Sequence, residues 1–549
     1  MLLRHDRSSK VIDIALVSIW SIVLTVFTFI ANGKKIGIDD ADIFFTYASN
    51  LANGEGLIYS PGIPRVEGYT STLWMLLSSL VFKLGFSENI ILILSLVLFI
   101  LTTLIAFCIL EISLHKSNWL KAKIVYLLIT SLSFSYASWM LISLMDTTLW
   151  GFLLMTMLYL LISPFKDKKN LALGSLVFLL LPFSRPESIL LVPLIFILTI
   201  IVNRKWFTKP LSVYFIVFSI STISLTIFRY SYFGFPFPNT YYAKVSDSLY
   251  TNVLSGSLYF ARFLQSSLFA LIAFLLSLMY ISWCWHQKYL SIKFKLGQDS
   301  TPSSHKSLKL IALVILSFML ITIFSGGDHF NLFRIVQPIW PFIVLIIALS
   351  FFELKEKFTK VSNSVFLVFA SVLLVVSEFL SSASGTSWTV LATQGRSPIA
   401  HEFEIAENGK LLGTRLNKIF EEFDFKPTVG TIVAGGLART YKGTIYDLMG
   451  LNNSQMAHDS TDREGFRNHA IFDKRIFLRW PVDVLLASPE GWGMDVALKG
   501  LASDNQFASK YKYGCIESKT HQISECAYFR DEFISEIDQN LNITFTLSK

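Results

Sequence analysis

Charge is scarce in this chain. Only 16% of its 549 residues are Asp, Glu, Lys or Arg, against about 25% in soluble globular proteins. That deficit excludes an ordinary soluble globule for most of the length. Cysteine is scarcer: there are four, with Cys108 and Cys284 in apolar runs and Cys515 and Cys526 in a polar tail. They form no metal-binding pattern. No internal repeat or low-complexity tract stands out, which removes solenoids and disordered linkers. What is abundant is hydrophobic surface, at 53% of residues, with 15% aromatic. The net charge of +8 does not indicate a nucleic-acid partner. The cations sit in short loops between apolar runs, where the positive-inside rule accounts for them.

The first apolar run, 11–31, follows Arg4, Arg7 and Lys10 and has the roughly 20 residues that a bilayer crossing requires. No small-residue cleavage site follows it, so it reads as a retained anchor. Further runs predict spans at 89–111, 124–143, 148–163, 171–183, 188–202, 211–229, 258–284, 309–325, 336–353 and 363–382. The segment 70–85 decides the topology. It is apolar but short, and Lys83 interrupts it. If it lies at the interface, the loops 112–123, 164–170, 203–209, 285–309 and 354–362 share one side and hold 17 Lys and Arg. The loops 144–147, 184–187, 230–257 and 326–335 then share the other side and hold 3. That asymmetry predicts a non-spanning helix at 70–85, eleven spans, a cytoplasmic N-terminus and an outer compartment beyond about Ser384.

From 385 to 549 the character changes. No run is long enough to cross a bilayer, and charges of both signs are interspersed. β-like runs at 428–434 and 482–487 alternate with a helical pattern at 405–423. The expected architecture is a polytopic α-helical membrane domain, 1–384, with a soluble mixed α/β domain, 385–549. Cys515 and Cys526 are the only cysteines outside apolar runs, and an oxidising outer compartment permits a bridge between them.

Five polar motifs fall on the outer side in this threading. They are Asp39-Asp40 in the loop 32–70, Met145-Asp146-Thr147, Arg185-Pro186-Glu187, the stretch 236–244, and Gly326-Gly327-Asp328-His329. Ionisable groups at a membrane are costly and are functional candidates by default. Adjacent carboxylates suit a general base or a metal-ligand pair. The plainer alternative is an N-cap with solvated loop charges. Arg185 and Glu187 can form a local ion pair at a helix started by Pro186, Lys244 can snorkel to the interface, and Tyr241 can be an interfacial aromatic.

Taken in order, these motifs resemble those of the GT-C membrane glycosyltransferases. Ile38-Asp39-Asp40-Ala41, Asn50-Leu51-Ala52-Asn53-Gly54-Glu55-Gly56 and Val66-Glu67-Gly68-Tyr69-Thr70 carry the likeness at the N-terminal end. Ser184-Arg185-Pro186-Glu187, Pro238-Asn239-Thr240-Tyr241-Tyr242-Ala243-Lys244, Gly326-Gly327-Asp328-His329 with Arg334, and Tyr446-Asp447-Leu448-Met449-Gly450-Leu451-Asn452 continue it. The nearest likeness is to the terminal β-(1→2)-arabinofuranosyltransferase branch, although Asp146 stands where that branch has Glu.

The resemblance implies an enzyme of a bacterial inner membrane that takes a sugar from a polyprenyl-phosphate donor. The acceptor would be an envelope glycan, lipid or protein on the outer face, with arabinofuranose one candidate sugar. Asp40 would act as general base with Asp39 in support. Lys244, Arg185, His329 and Arg334 would meet the donor phosphate, and Asp146, Glu187, Asp328 and Tyr241 would line the donor site. A divalent cation on Asp39 and Asp40 is left open, since members of the superfamily differ on metal use. Two other readings stay in view: a transporter or flippase of lipid-linked sugars, and an O-antigen ligase or polymerase.

Overall fold

The computed structural model describes residues 7–163, 168–203, 209–245, 248–294, 303–330, 332–357, 376, 399–460 and 471–548. Helix dominates. Among the described residues six helices are long and apolar enough to cross a membrane: Ser9–Ala31, Glu88–Ser113, Lys209–Phe233, Leu268–His286, Ser304–Phe324 and Arg334–Lys355. A seventh crossing is reached if a bent pair counts as one span. The protein is thus a helical membrane protein with a small sheet in its C-terminal region. The expected span 363–382 lies, apart from residue 376, outside the described residues.

Several expected spans take a different form. The run 124–143 is two helices, Trp119–Leu132 and Phe134–Ile142, meeting at 79°. Ser133 sits at the break with its hydroxyl bonded back to the carbonyl of Ile129 at 2.7 Å, while accepting from Trp340 Nε1 at 2.8 Å. A serine that bonds to the preceding turn loosens the helix there. The run 258–284 is likewise interrupted, because Ser267 separates Leu249–Ser266 from Leu268–Phe294. Its hydroxyl accepts from the N–H of Ala270 and starts the new helix. The runs 148–163, 171–183 and 188–202 form helices of 16, 17 and 16 residues, Thr147–Ile162, Lys168–Ser184 and Ser188–Asn203. Each falls short of the roughly 20 residues of a perpendicular crossing. The segment 70–85 is a helix of only 12 residues, Thr72–Lys83, about 18 Å long at 1.5 Å per residue and well below a bilayer's hydrocarbon thickness.

The chain divides into two compact units. The first comprises Met1–Ile36, Asn89–Leu225 and Tyr250–Ala400; the second comprises Gly37–Glu88, Thr226–Leu249 and His401–Lys549. The tail therefore shares its unit with the first polar stretch and with the Asn239 motif.

Among the described residues of the second unit six strands form one sheet: β1 (Val429–Thr431), β2 (Ile445–Asp447), β3 (Val484–Leu485), β4 (Tyr511–Ser518), β5 (Ile523–Arg530) and β6 (Ile543–Leu547). Their order is β2-β1-β3-β5-β4-β6. β1 runs parallel to β2 and β3, and the remaining pairs are antiparallel. The expected runs at 428–434 and 482–487 contain β1 and β3, and the 405–423 pattern falls on the helix Ala400–Ile419. Phe477, Val482, Leu485, Leu498 and Phe507 fill the core beside the sheet. Cys515 and Cys526 stand directly opposite each other on β4 and β5 and are bridged. Closing so short a loop is worth roughly 2–3 kcal/mol by the chain-entropy account.

Candidate functional site

In the second unit Asp39 and Asp40 do not lie in a loop: they begin the helix Asp39–Ala52. Three carboxylates in its first turn, Asp39, Asp40 and Asp42, favour the start of a helix because its exposed N–H groups carry partial positive charge. Most of the helix is buried, from Ala41 through Ala48. Asp39 and Asp40 themselves are half-buried.

Asp39 is not a solvated loop charge. Its two carboxylate oxygens accept from successive backbone N–H groups of the tail, Gly435 at 2.9 Å and Gly436 at 2.7 Å. Burial pushes its pKa up to about 6, against the pull of those two donors, with Asp40 and Asp447 adding to the rise. Asp447 is fully buried and fixed by three donors: Met449 N–H at 2.8 Å, Asn452 N–H at 2.8 Å and Asn452 Nδ2 at 2.9 Å. Burial also raises its pKa, and Asp40 contributes to that rise. Asp39, Asp40 and Asp447 are therefore near neighbours.

Hydrogen bonds interlock the motif segments of this unit. Tyr47 donates to the carbonyl of Val66 at 2.8 Å and to Asn452 Oδ1 at 3.3 Å, and accepts from Gly68 N–H at 3.1 Å. Asn239 donates to the carbonyls of Gly450 and Leu451 at 2.7 and 2.9 Å. Its own N–H reaches the Glu67 carbonyl at 2.9 Å. The Glu67 side chain takes a two-pronged ion pair from Arg229, at 2.8 Å from Nε and 3.0 Å from Nη2. Both side chains are buried, and burial outweighs the guanidinium in raising the Glu67 pKa. Asp42 lies 3.0 Å from Lys410 and 3.8 Å from Arg439, and both cations also reach Glu88. Burial lifts Asp42 to about 7 despite them, whereas Lys410 is raised because its two carboxylates outweigh its own burial. Tyr241 and Lys244 share the six-residue helix Asn239–Lys244. Tyr241 is exposed against Phe237 and Tyr242, and Lys244 is half-buried.

The first unit holds a second cluster. Arg185 pairs with Asp146 at 3.0 Å and with both oxygens of Glu187 at 2.8 and 3.1 Å, over the face of Trp150. The local Arg185–Glu187 pair is thus formed, and it extends to Asp146. Arg334 meets Asp328 through Nε at 2.8 Å and Nη2 at 2.7 Å, over the Phe330 ring. His329 N–H donates to Asp328 at 2.8 Å. Asp328 acts electrostatically on Arg185 and Arg334 on Asp146, which makes the six residues one cluster. Burial holds the Asp146 pKa up against Arg185, whereas Arg185 draws Glu187 below its usual range despite burial.

The backbone at this cluster is tightly turned. Gly326 and Gly327 have φ of 89° and 80°, and Leu144, Leu332 and Phe333 hold φ of 58°, 60° and 51°. Positive φ in non-glycine residues is uncommon and gathers where function or packing forces it. Both arginines expected to meet phosphate are already engaged by carboxylates, three against two guanidinium groups. A phosphate would have to compete with those partners.

Among the described residues no group of three or more His, Cys, Asp or Glu is arranged to hold a metal ion. Asp42, Glu88, Arg229, Lys410 and Arg439 were not visible as site neighbours in the sequence. Only Arg229 left a signal, as a lone cation closing an apolar span. No family model matches the chain, and no curated protein is significantly similar to it.

Proposed function

We propose that this protein is a GT-C-type glycosyltransferase of a bacterial inner membrane. It moves a sugar from a polyprenyl phosphate to an envelope glycan, lipid or protein at the outer face. One observation carries the reading: segments 38–42, 66–70, 239–244 and 446–452, the same segments that bear the family resemblance, are joined by direct hydrogen bonds or by close carboxylates in one unit. Residues up to 405 positions apart in the chain meet there. Attack on an anomeric carbon requires an acceptor hydroxyl to lose its proton as the bond forms, and a positioned carboxylate can take that proton. Asp40 is the base in this reading, with Asp39 in support, held by its two backbone donors.

The test is transfer by the purified full-length protein in detergent. Labelled polyprenyl-phosphate pentoses and hexoses serve as donors, and an envelope extract from a deletion strain as acceptor. Wild-type protein transfers label, and Asp40→Asn, equally monodisperse, loses about 10²–10⁴-fold in rate. Near wild-type transfer by Asp40→Asn refutes the assignment of the base.

The bent helix pair at Ser133 favours a second reading, because broken helices recur in transporters. A flippase of lipid-linked sugars moves label across vesicles and transfers none, so the same assay separates the two. The eleven-span threading, with the motif loops outside, has its own check. Cysteines placed at the exposed Ser248 and Ser117 should differ: the first reacts with an impermeant maleimide in intact spheroplasts, the second only after lysis. The reverse pattern inverts the topology.

A further inference from the structure

We propose that Asp39 is a positioning residue, held through its carboxylate by two successive backbone N–H groups of the tail, and that this contact fixes the direction in which Asp40 is presented. The inference rests on the reading of Asp40 as base given above. It makes the tail a working part of the site.

The geometry is specific. One Asp39 oxygen accepts from Gly435 and the other from Gly436, so rotation of the carboxylate is lost. Successive side chains on a helix are turned roughly 100° apart, so Asp39, committed to the tail, sets where Asp40 points. Gly435 comes so close that a Cβ there would lie 1.8 Å from the Asp39 carbonyl oxygen. A Cβ on Gly436 would lie 2.2 Å from the carbonyl oxygen of Ala406. No residue with a side chain fits at either position without moving backbone.

The holding segment is itself fastened. Tyr59 donates to the Ala434 carbonyl at 2.6 Å. Arg439, a few residues on, donates to the Phe45 carbonyl at 3.0 Å and pairs with Glu88 at 3.1 Å. Asp447 is a second fixed carboxylate, immobilised by its own loop. Two carboxylates are thus positioned by hydrogen-bond donors, and the tail supplies the donors for both.

Four variants of the full-length protein test this in the transfer assay: Asp39→Asn, Gly435→Ala, the two combined, and Gly413→Ala. The last crowds the same short tail helix, at Thr440 and Leu437, without touching Asp39. Misplacing a reacting group by about an ångström costs about 10²-fold. Asp39→Asn and Gly435→Ala are each expected to lower kcat by that order with the donor KM unchanged. Because they break one contact, the combined variant is expected to be no slower than the worse single variant. Gly413→Ala retains kcat within a few-fold.

Asp39→Asn keeps the side-chain shape and carries the test if Gly435→Ala does not fold. A folded Asp39→Asn with wild-type kcat overturns the proposal, as does a multiplicative double loss or an equal loss in Gly413→Ala. Failure of the underlying reading looks different: Asp40→Asn stays active, or the wild-type protein transfers nothing.

Discussion

Two groups of carboxylates, one in each unit, are held in opposite ways. In the first, Asp146, Glu187 and Asp328 each face a guanidinium group, and charge is cancelled side chain against side chain. In the second, Asp39 and Asp447 are held by backbone N–H groups and one amide, which orient a carboxylate without supplying a full positive charge. A carboxylate neutralised by arginine is a poor base and a good structural element. One that is buried and crowded by other carboxylates keeps its proton affinity high even against neutral donors. Glu187 is pulled down by its arginine and Asp39 and Asp447 are pushed up by burial, while Asp146, the most deeply buried of the arginine partners, stays raised despite Arg185.

If the contrast is real, substitutions in the two clusters fail differently. Arg185→Ala leaves the buried Asp146 and the half-buried Glu187 without their shared cation, and breaking a buried pair costs about 3–5 kcal/mol. It should appear as a large drop in thermal stability in detergent, or as loss of monodisperse protein. Replacing Asp146 by Leu and Arg185 by Met together should restore part of that loss. Asp40→Asn, by comparison, should change stability little while abolishing transfer. An Arg185→Ala variant as stable as wild type breaks the distinction.

The smaller effect is on pH. Asp39 and Asp42 have pKa values raised from 3.8 to about 6 and about 7. Between pH 3.8 and about 7 the folded state therefore holds more protons than the unfolded chain. Their contribution is fully present below the unfolded pKa and is lost as pH rises through the folded values. Glu187 has the opposite sign: its lowered pKa contributes stability present above 4.5 and lost as pH falls. Unfolding followed by scanning fluorimetry in detergent should show stability declining from pH 5 to pH 7, with a shallower decline in Asp42→Asn. A flat profile in wild-type protein would mean that Asp39 and Asp42 are not proton-loaded when folded.

Part of this was legible along the chain. The long apolar runs, the short helix at 70–85 and the strands at 428–434 and 482–487 follow from local pattern. Hydrophobic length and alternation act over a few residues and need no knowledge of partners. The bridge between Cys515 and Cys526 was legible for a similar reason, since no other cysteines lie in the tail. The breaks at Ser133 and Ser267 were hidden, because a serine inside an apolar run is usually tolerated. At the first break a distant partner is engaged: Ser133 takes Trp340 as donor, from 207 positions away.

The site divides along the same line. Composition and order alone determined that this is a membrane chain with a polar tail, and that its acidic and basic motifs are few and short. Asp39, Asp40, Asp146, Arg185, Glu187 and Asp328 could be named from their type and place. Their partners could not, because Gly435 lies 396 positions from Asp39 and Arg229 lies 162 from Glu67. Backbone N–H groups, the donors that hold Asp39, leave no trace in residue identity. Only folding brought them to its carboxylate, because burial obliges a carboxylate to find donors and the packed tail supplied them.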